Sequence, residues 1–332
     1  MSRLQETLAT IPLATRFIMG LCILTYMYQL LADPPLHDYT MVPKNVIYEH
    51  EFYRIFTSSL FHGSLMHIGM NMMSTMAISS LLEKQIGTLM MSITILWGIV
   101  LTSTIYIFIA WLLYVSIGYE HLMMQHSVGF SGVIFQLSVL ESSLSPNRTR
   151  SVYGVFTVSS KLYPWALLLV LQFVMPNISF LGHLSGILVG TLQYHGLLSK
   201  LFPSHAYLLE RETDDRLQVL RRQPGYVSTP ETSPLLGETV PADIRSSLLT
   251  SLGCVTLFVS NVCETLKVMI FGRGSEANAN IQLNELNGLT AAWGSSDVTN
   301  TAGAGTILDD LAEDDEEWVG LPTAIQRSTD EM

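Results

Sequence analysis

The sequence predicts an all-α membrane protein, a bundle of six transmembrane helices followed by a largely disordered cytosolic C-terminal tail. Hydrophobic residues make up 48% of the 332 residues and cluster in six apolar windows. The charges divide sharply as well. Residues 1–200 hold 9 basic and 8 acidic side chains, whereas residues 201–332 hold 8 basic and 20 acidic ones. The first part therefore has the composition of a membrane domain, and the second that of an acidic aqueous tail.

Each apolar window is predicted to form one membrane helix. The windows lie at roughly 13–32, 60–82, 89–117, 129–145, 163–176 and 178–199. The basic residues of the short loops then set the orientation. With a cytosolic N-terminus, one side of the membrane collects seven lysines and arginines, and the other only Lys44 and Arg54. Both termini are thus predicted to be cytosolic, and helices two, four and six begin on the luminal or extracellular side.

A serine and a histidine stand at the mouths of helices four and six. Ser131 lies in a Gly-Phe-Ser-Gly motif, and His183 follows a glycine. Taken alone, Ser131 is also explained as a helix N-cap, and His183 as a packing histidine that bonds across the bundle. Polar groups are energetically costly inside a membrane, so two of them at the same depth indicate a functional role. Together they favour a nucleophile and its general base.

Helix two carries hydrogen-bond donors at the same depth. His67 and Asn71 are four residues apart, which stacks their side chains on one face of a helix. Such donors, with the backbone N–H of Ser131, suit the oxyanion of an acyl-transfer reaction. A divalent metal site or a proton path is the alternative, but this cluster contains no carboxylate or thiolate. We assign neither a metal nor a cofactor.

Glycines repeat every four residues along helix six. Gly182, Gly186 and Gly190 make this stripe, and the last two lie on the face of His183. Gly132 offers a matching small surface on helix four, so the two helices are predicted to approach closely. The alternative is a generic packing stripe without catalytic meaning.

Together these elements resemble the rhomboid intramembrane serine proteases. The matching positions are Tyr53-Arg54, where many rhomboids have Trp-Arg, then His62-x4-His67-x3-Asn71, Glu83 to Gly87, Gly129-Phe130-Ser131-Gly132, and Gly182-His183-x2-Gly186-x3-Gly190. The resemblance covers roughly residues 10–200. It implies a six-helix rhomboid-like bundle with a water-filled cavity, Ser131 and His183 as a catalytic dyad, and His67 and Asn71 as oxyanion donors. It also implies structural positions near the site, at His62, Arg54, Gly129, Gly132, Gly186 and Gly190.

The resemblance also implies an activity. It is the hydrolysis of peptide bonds within or next to the transmembrane segments of client proteins, with the lipid bilayer as environment and no nucleic acid as partner. The alternative is a non-proteolytic factor that uses the same fold to bind or dislocate clients. The intact serine and histidine favour the protease.

Three segments are predicted after the bundle. Residues 201–245 contain five prolines and are interpreted as a mostly flexible cytosolic linker. Residues 246–271 place apolar side chains every three or four positions, which predicts an amphipathic helix on the membrane or on a partner. A seventh span is the alternative, because residues 246–263 carry no charge. Residues 272–332 are predicted to be an acidic disordered tail.

The end of the tail resembles a ubiquitin-interacting motif. Within 314–331, an acidic run precedes Leu321, Ala324 and Ser328, where the alanine would admit an apolar patch of ubiquitin. A solvated acidic tail is the alternative. With the motif, the layout resembles rhomboids of the endoplasmic reticulum that cut ubiquitin-marked membrane proteins for degradation. We therefore expect an endoplasmic-reticulum membrane protein, with other membranes of the secretory pathway as the alternative.

Overall fold

A computed structural model describes residues 10–152, 154–175 and 178–232. These residues belong to the first of two units into which the chain divides, residues 1–247. The predicted amphipathic helix at 246–271 and the acidic tail at 272–332 lie outside the described residues, as does the end of the predicted linker.

Helices dominate the described part of the chain. They are α1 (Leu13–Ala32), α2 (Pro43–Tyr48), α3 (Arg54–Leu60), α4 (Leu65–Ile86), α5 (Thr88–Ile117), α6 (His121–Met124), α7 (Ser131–Leu144), α8 (Tyr163–Val174), α9 (Phe180–Tyr194), α10 (His205–Thr213) and α11 (Gln218–Arg221). Short 3-10 turns lie at Leu36–Asp38, Ser160–Leu162, Ser199–Leu201 and Asp215–Leu217.

Each of the six apolar windows overlaps one main helix, namely α1, α4, α5, α7, α8 or α9. Within the described ranges, α1 and α5 are the two that are both long and apolar enough to cross a membrane, with mean hydropathies of 1.3 and 2.1. Helices α7, α8 and α9 have 14, 12 and 15 residues. At about 1.5 Å per residue they are shorter than a hydrocarbon core of about 30 Å. The count of six spans stays a prediction.

Local signals explain where these helices begin and end. The Ser64 side chain accepts a hydrogen bond from the backbone N–H of His67 and so caps the start of α4. Gly87 separates α4 from α5 with a φ of 83°, and Gly118 ends α5 in the left-handed region. These two glycines therefore set the end of α4 and both ends of α5.

Helix α7 is the centre of the bundle. It contacts α4, α5, α8 and α9, and every residue from 133 to 142 is buried. The outer helices instead expose large apolar side chains, of which Phe173 is 90% exposed. Lipid is the environment that such a surface suits. The position of α7 means that its first residue, Ser131, sits among several helix ends.

A β-hairpin between α7 and α8 departs from the all-α prediction. Strand β1 (Thr149–Val152) pairs antiparallel with β2 (Phe156–Ser159). Gly154 supplies the positive φ of 75° that the tight turn needs, and the strands are rich in threonine and valine. The buried Glu141 on α7 forms an ion pair with Arg150 of β1, which ties the hairpin to the bundle.

One buried carboxylate joins the starts of α1 and α5. Glu83, near the end of α4, is 0% exposed. It accepts hydrogen bonds from the backbone N–H groups of Ala14 and Thr15, at 2.9 and 2.8 Å, and from the Thr88 hydroxyl at 2.7 Å. A negative group at a helix N-terminus satisfies donors that have no partner within the helix.

Part of the predicted flexible linker is ordered. Residues 205–221 contain α10 and α11, and residues 224–230 form an irregular segment that we call the strap. The Leu13 N–H donates to the Gly225 carbonyl and the Thr88 N–H to the Val227 carbonyl, both at 2.8 Å. The strap thus caps two helix N-termini, a role that proline content does not reveal.

A second buried carboxylate holds the strap. Glu212 of α10 accepts hydrogen bonds from the Tyr226 hydroxyl at 2.7 Å and from the N–H and hydroxyl of Thr229 at 2.9 Å. A Cβ on Gly87 would lie 2.9 Å from the Thr229 Cα, so the strap packs directly on the junction of α4 and α5. The ordered domain therefore extends well beyond residue 200.

Candidate active site

Ser131 and His183 meet at the start of two neighbouring helices. Ser131 is the first residue of α7, and His183 lies in the first turn of α9. The Ser131 Oγ is 2.8 Å from the His183 Nε2, a hydrogen-bond distance. The hydroxyl and the imidazole are therefore placed so that the ring can take the hydroxyl proton.

The His183 imidazole is held by packing. The side chain is buried, and the Phe135 ring stacks on it with centroids 4.5 Å apart and planes 27° from parallel. Among the described residues, no group forms a hydrogen bond with the His183 Nδ1. The acid that completes a serine triad is thus missing from the described part of the chain.

The glycine stripe allows α7 and α9 to touch along their backbones. A Cβ on Gly186 would overlap the carbonyl oxygen of Gly132, and one on Gly190 would lie 2.7 Å from the Gln136 carbonyl oxygen. Gly132 itself faces the Gly182 carbonyl, at 3.3 Å from its Cβ position. Side chains larger than hydrogen at these positions would push the two helices apart.

His67 and Asn71 of α4 lie beside the turn that precedes Ser131. A Cβ on Gly129 would lie 2.8 Å from the His67 Nε2 and 3.5 Å from the Asn71 Nδ2. Gly129 has a φ of 113°, a conformation that L side chains rarely adopt. The Asn71 Nδ2 is buried and has no acceptor among the described residues.

A cavity of about 200 Å³ opens onto the serine. Ser131, His183, His67 and Gly129 are among the residues that line it, and Asn71 is not. Further hydroxyl groups line the same space, from Ser58, Ser59, Thr102, Ser103, Tyr106, Ser127 and Ser179. These residues bring polar surface and room for small polar molecules to a site within an apolar bundle.

Sequence comparison identifies the fold family. Residues 49–200 match the family described as "Rhomboid domain". This part of the chain is a rhomboid domain. It is 34% identical over 233 residues to Rhomboid-like protein 15 of Arabidopsis thaliana, an alignment of 68% of this chain and 57% of that protein. It is 30% identical over 172 residues to Rhomboid-related protein 4 of Mus musculus, covering 52% of this chain and 54% of the relative.

A third relative has a more complete alignment. Rhomboid-type serine protease 2 of Gibberella zeae is 28% identical over 234 residues, which cover 70% of this chain and 84% of the relative. In contrast, the chain spans only a little over half the length of the first two relatives. A rhomboid domain implies an integral membrane protein, in keeping with the two apolar helices α1 and α5.

His62, which was predicted as a structural residue near the site, lies next to His67. The amide of Gln29 on α1 makes two 3.0 Å hydrogen bonds with the backbone of His62, and the His62 Nδ1 lies 3.0 Å from the Leu60 carbonyl. His62 is buried, and its ring lies 5.2 Å from that of His67. It therefore backs His67 and does not line the cavity.

Arg54, also predicted as a structural residue, holds the loop that follows α1. Its guanidinium is buried and donates to the carbonyls of His37 and Thr40 at 2.7 and 2.9 Å, and to the Glu51 carboxylate at 2.5 Å. Hydrogen bonds from the Asn45 amide and from Arg54 hold the pKa of Glu51 below its usual range. Arg54 thus fixes the backbone on one side of the cavity.

His126 at the cavity mouth was not predicted from the sequence. Its Nδ1 lies 2.6 Å from the Thr40 hydroxyl, which itself donates to the His37 carbonyl. The tautomer of the imidazole decides which of the two atoms donates in this contact. Burial, with the nearby charges of Arg54 and His37, lowers the pKa of His126. Its position five residues before Ser131 was the only signal in the sequence.

The predicted ubiquitin-binding motif lies outside the described residues. Its residues are Leu321, Ala324 and Ser328. Within the described ranges, no group of three histidine, cysteine or acidic side chains is arranged to hold a metal ion.

Proposed function

We propose that this protein is an intramembrane serine protease that hydrolyses peptide bonds within or next to transmembrane segments of membrane proteins. The observation that carries the proposal is the 2.8 Å separation of the Ser131 Oγ and the His183 Nε2 inside a polar cavity of a rhomboid domain. The name of the third relative, which contains "serine protease", agrees with it.

The reaction begins with the attack of Ser131 on a client carbonyl. The Ser131 Oγ bonds to the carbonyl carbon while its proton passes to the His183 Nε2. The carbonyl oxygen becomes an oxyanion. The His183 Nε2 then gives the proton to the amide nitrogen, the carbon–nitrogen bond breaks, and an ester on Ser131 remains.

Water completes the cycle. His183 takes a proton from a water molecule in the cavity, and the resulting hydroxide attacks the ester. The ester bond breaks as the proton returns to the Ser131 Oγ, which releases the client's new carboxylic acid, and this acid then ionises in water. The hydroxyl groups that line the cavity can hold the water that this step needs.

The oxyanion is assigned to donors beside Gly129. The Asn71 Nδ2 has no acceptor among the described residues, and the His67 Nε2 reaches the same turn. Fixed donors of this kind, which have no other bond to lose, stabilise the developing charge. Removal of one such donor typically lowers kcat by about 10²–10³.

The competing function is non-proteolytic client binding or dislocation. We test the two with a panel of tagged single-span clients, using wild type, Ser131→Ala and Asn71→Ala at equal expression. A protease loses about a thousandfold or more of its cleavage rate in Ser131→Ala and about a hundredfold in Asn71→Ala. Ser138→Ala is the matched control, since this buried serine on the same helix bonds only its own helix. Equal client loss in wild type and Ser131→Ala would instead establish the binding function.

We further propose that ubiquitin-marked clients in the endoplasmic reticulum are selected through the C-terminal tail. The acidic run and the positions of Leu321, Ala324 and Ser328 support this proposal. A cytosolic tail that holds ubiquitin would raise the local concentration of a client at the active site. Both termini would then be cytosolic.

Binding and cleavage are measured separately to test the tail. Ala324→Asp places a charge where ubiquitin's apolar patch would sit, and Ala312→Asp outside the motif is its control. We expect only the first to lose ubiquitin binding in a pull-down and to slow the cleavage of ubiquitinated clients. Unmodified clients should be cut at the same rate by both. Equal ubiquitin binding by both variants would contradict the proposal.

A further inference from the structure

Within the described ranges, the dyad has no partner like the acid that orients the histidine in a serine triad. No described residue bonds the His183 Nδ1, so the ring's position must come from packing. The stacked Phe135 fixes the plane of the ring. It does not fix how far α7 slides along α9, and that sliding sets the distance from the Ser131 Oγ to the His183 Nε2.

A buried chain of side-chain hydrogen bonds crosses three helices below the dyad. The Gln136 Nε2 on α7 donates to the Gln193 Oε1 on α9 at 2.7 Å. The Gln193 Nε2 in turn donates to the Thr94 hydroxyl on α5 at 3.3 Å. Gln136 and Gln193 are 0% and 6% exposed. The two helices that carry Ser131 and His183 are thus joined by their own amides.

The surroundings of this amide pair leave it little freedom. A Cβ on Gly98 of α5 would overlap the Gln136 Oε1, and one on Gly190 would lie 2.7 Å from the Gln136 carbonyl oxygen. The Gln136 side chain therefore occupies a slot that Gly98 keeps open, while Gly190 makes room for the Gln136 backbone. A slip of one residue moves a helix by about 1.5 Å, which is enough to break a hydrogen bond of this length.

Most other buried hydroxyls of α7 and α9 form hydrogen bonds that do not depend on how the two helices are aligned. Ser138 donates to the Phe135 carbonyl of its own helix, and Ser185 donates to the Leu181 carbonyl of its own. Their bonds survive any sliding of α7 against α9. The bond between Gln136 and Gln193 does not, because its two ends belong to different helices.

We propose that Gln136 and Gln193 are positioning residues, whose amide pair locks α7 against α9 and so holds the His183 Nε2 within hydrogen-bond distance of the Ser131 Oγ. The inference rests on the proposed protease function. It assigns to a hydrogen bond between two helices the orienting task that a triad gives to an acid.

The test compares single and double replacements in full-length protein in lipid. The variants are Gln136→Met, Gln193→Met and the two combined, with Ser138→Ala as control. Three quantities are measured: the thermal midpoint, kcat and KM for one single-span client, and the rate at which a fluorophosphonate probe labels Ser131. This probe forms an Oγ–P bond as fluoride leaves, and it needs no client.

Each single variant leaves one buried amide without its partner, whereas the double variant leaves none. We therefore expect the midpoint to fall in both single variants and to recover in the double variant. In contrast, kcat and the labelling rate should fall at least tenfold in all three variants and stay low in the double variant, with KM within twofold of wild type. Ser138→Ala should keep the wild-type kcat.

Two results would overturn the positioning role. One is a double variant that regains kcat together with its midpoint, because the amide pair would then serve stability alone. The other is wild-type kcat in the single variants. If wild-type protein neither labels nor cleaves, the proposed function fails and the positioning role fails with it. Labelling and cleavage by wild type beside unaffected glutamine variants overturn the positioning role alone.

Discussion

A Cβ on Gly186 would overlap the carbonyl oxygen of Gly132, so α7 and α9 meet backbone to backbone one turn after His183. Contact this close leaves no space for a methyl group. It also brings the two helices that carry the candidate dyad into a single rigid pair. Small residues at a helix interface have this effect in membrane proteins, where packing replaces the hydrophobic driving force.

We expect Gly186→Ala to separate these helices. Overpacking of a tight contact costs roughly 1–3 kcal/mol, and a shift of α9 also moves His183 away from Ser131. Cleavage should therefore fall more than tenfold, beyond the loss of folded protein. Thermal unfolding and client cleavage in the same detergent measure the two effects.

Gly20→Ala is the matched control for this change. Gly20 lies in the middle of α1 and has nothing within 4 Å of its Cβ position. The same substitution there should leave the midpoint unchanged or slightly raised, since alanine favours helices. Similar losses in both variants would show that the detergent-solubilised bundle tolerates no glycine replacement, and the contact argument would fail.

Glu51 predicts a dependence of stability on pH. Hydrogen bonds from Asn45 and Arg54 hold its pKa below the usual carboxyl range. A lowered pKa means that the unfolded chain binds the proton more tightly, so the stabilisation is complete above a pH of about 4.3 and is lost as the pH falls through the folded pKa. We expect Glu51→Gln to lower the thermal midpoint at pH 7 and to flatten its decline in acid.

The exposed Glu49 serves as the control for that measurement. Glu49→Gln should follow the wild-type midpoint across the same pH range. Parallel curves for wild type and Glu51→Gln would contradict the argument, because the acid-induced loss would then come from other carboxylates.

The sequence predicted the helices of the site better than the surroundings that hold them. Ser131 and His183 could be paired because two costly polar groups share one predicted depth. The orientation of the His183 ring by Phe135 could not, since an aromatic residue in an apolar helix is equally consistent with lipid contact or core packing. The pairing of Gln136 with Gln193 could not be predicted either, because residues 57 positions apart give no local signal in the sequence.

The strap shows a second limit of sequence reasoning. Its prolines predicted flexibility, yet the carbonyls of Gly225 and Val227 accept hydrogen bonds from the starts of α1 and α5. Helix N-termini always present unpaired N–H groups, but the sequence does not say which distant carbonyls will meet them. The hairpin after α7 was missed because its two strands have only four residues each.

Loss of Glu212 should release the strap. Its carboxylate accepts three hydrogen bonds from Tyr226 and Thr229, and bonds to a charged group contribute about 1.5–3 kcal/mol each at most. We expect Glu212→Ala to cost at least about 2 kcal/mol of the free energy of unfolding, since all three bonds are lost together. Hydrogen exchange of residues 224–230, followed by mass spectrometry, should speed up.

Glu210→Ala on the same helix separates this effect from a loss of helix propensity. The Glu210 side chain is 69% exposed, so its removal should change neither exchange nor midpoint. Unchanged exchange of the strap in Glu212→Ala would mean that the contacts of Gly225 and Val227 hold the strap without the carboxylate.

A comparison of Gly129 with Gly154 separates the effect of backbone strain from the effect of contact with His67. It has a φ of 113°, and a Cβ there would lie 2.6 Å from the His67 Cε1. Gly154 in the hairpin turn also has a positive φ, of 75°, but nothing lies within 4 Å of its Cβ position. Gly154→Ala therefore lowers stability only through its strained backbone, by about 1 kcal/mol, and should keep full cleavage activity. Gly129→Ala has the same backbone strain and also displaces His67, so we expect the cleavage rate to fall by more than about a hundredfold. Equal activity in the two variants would show that His67 moves aside freely, and it would remove His67 from the oxyanion site.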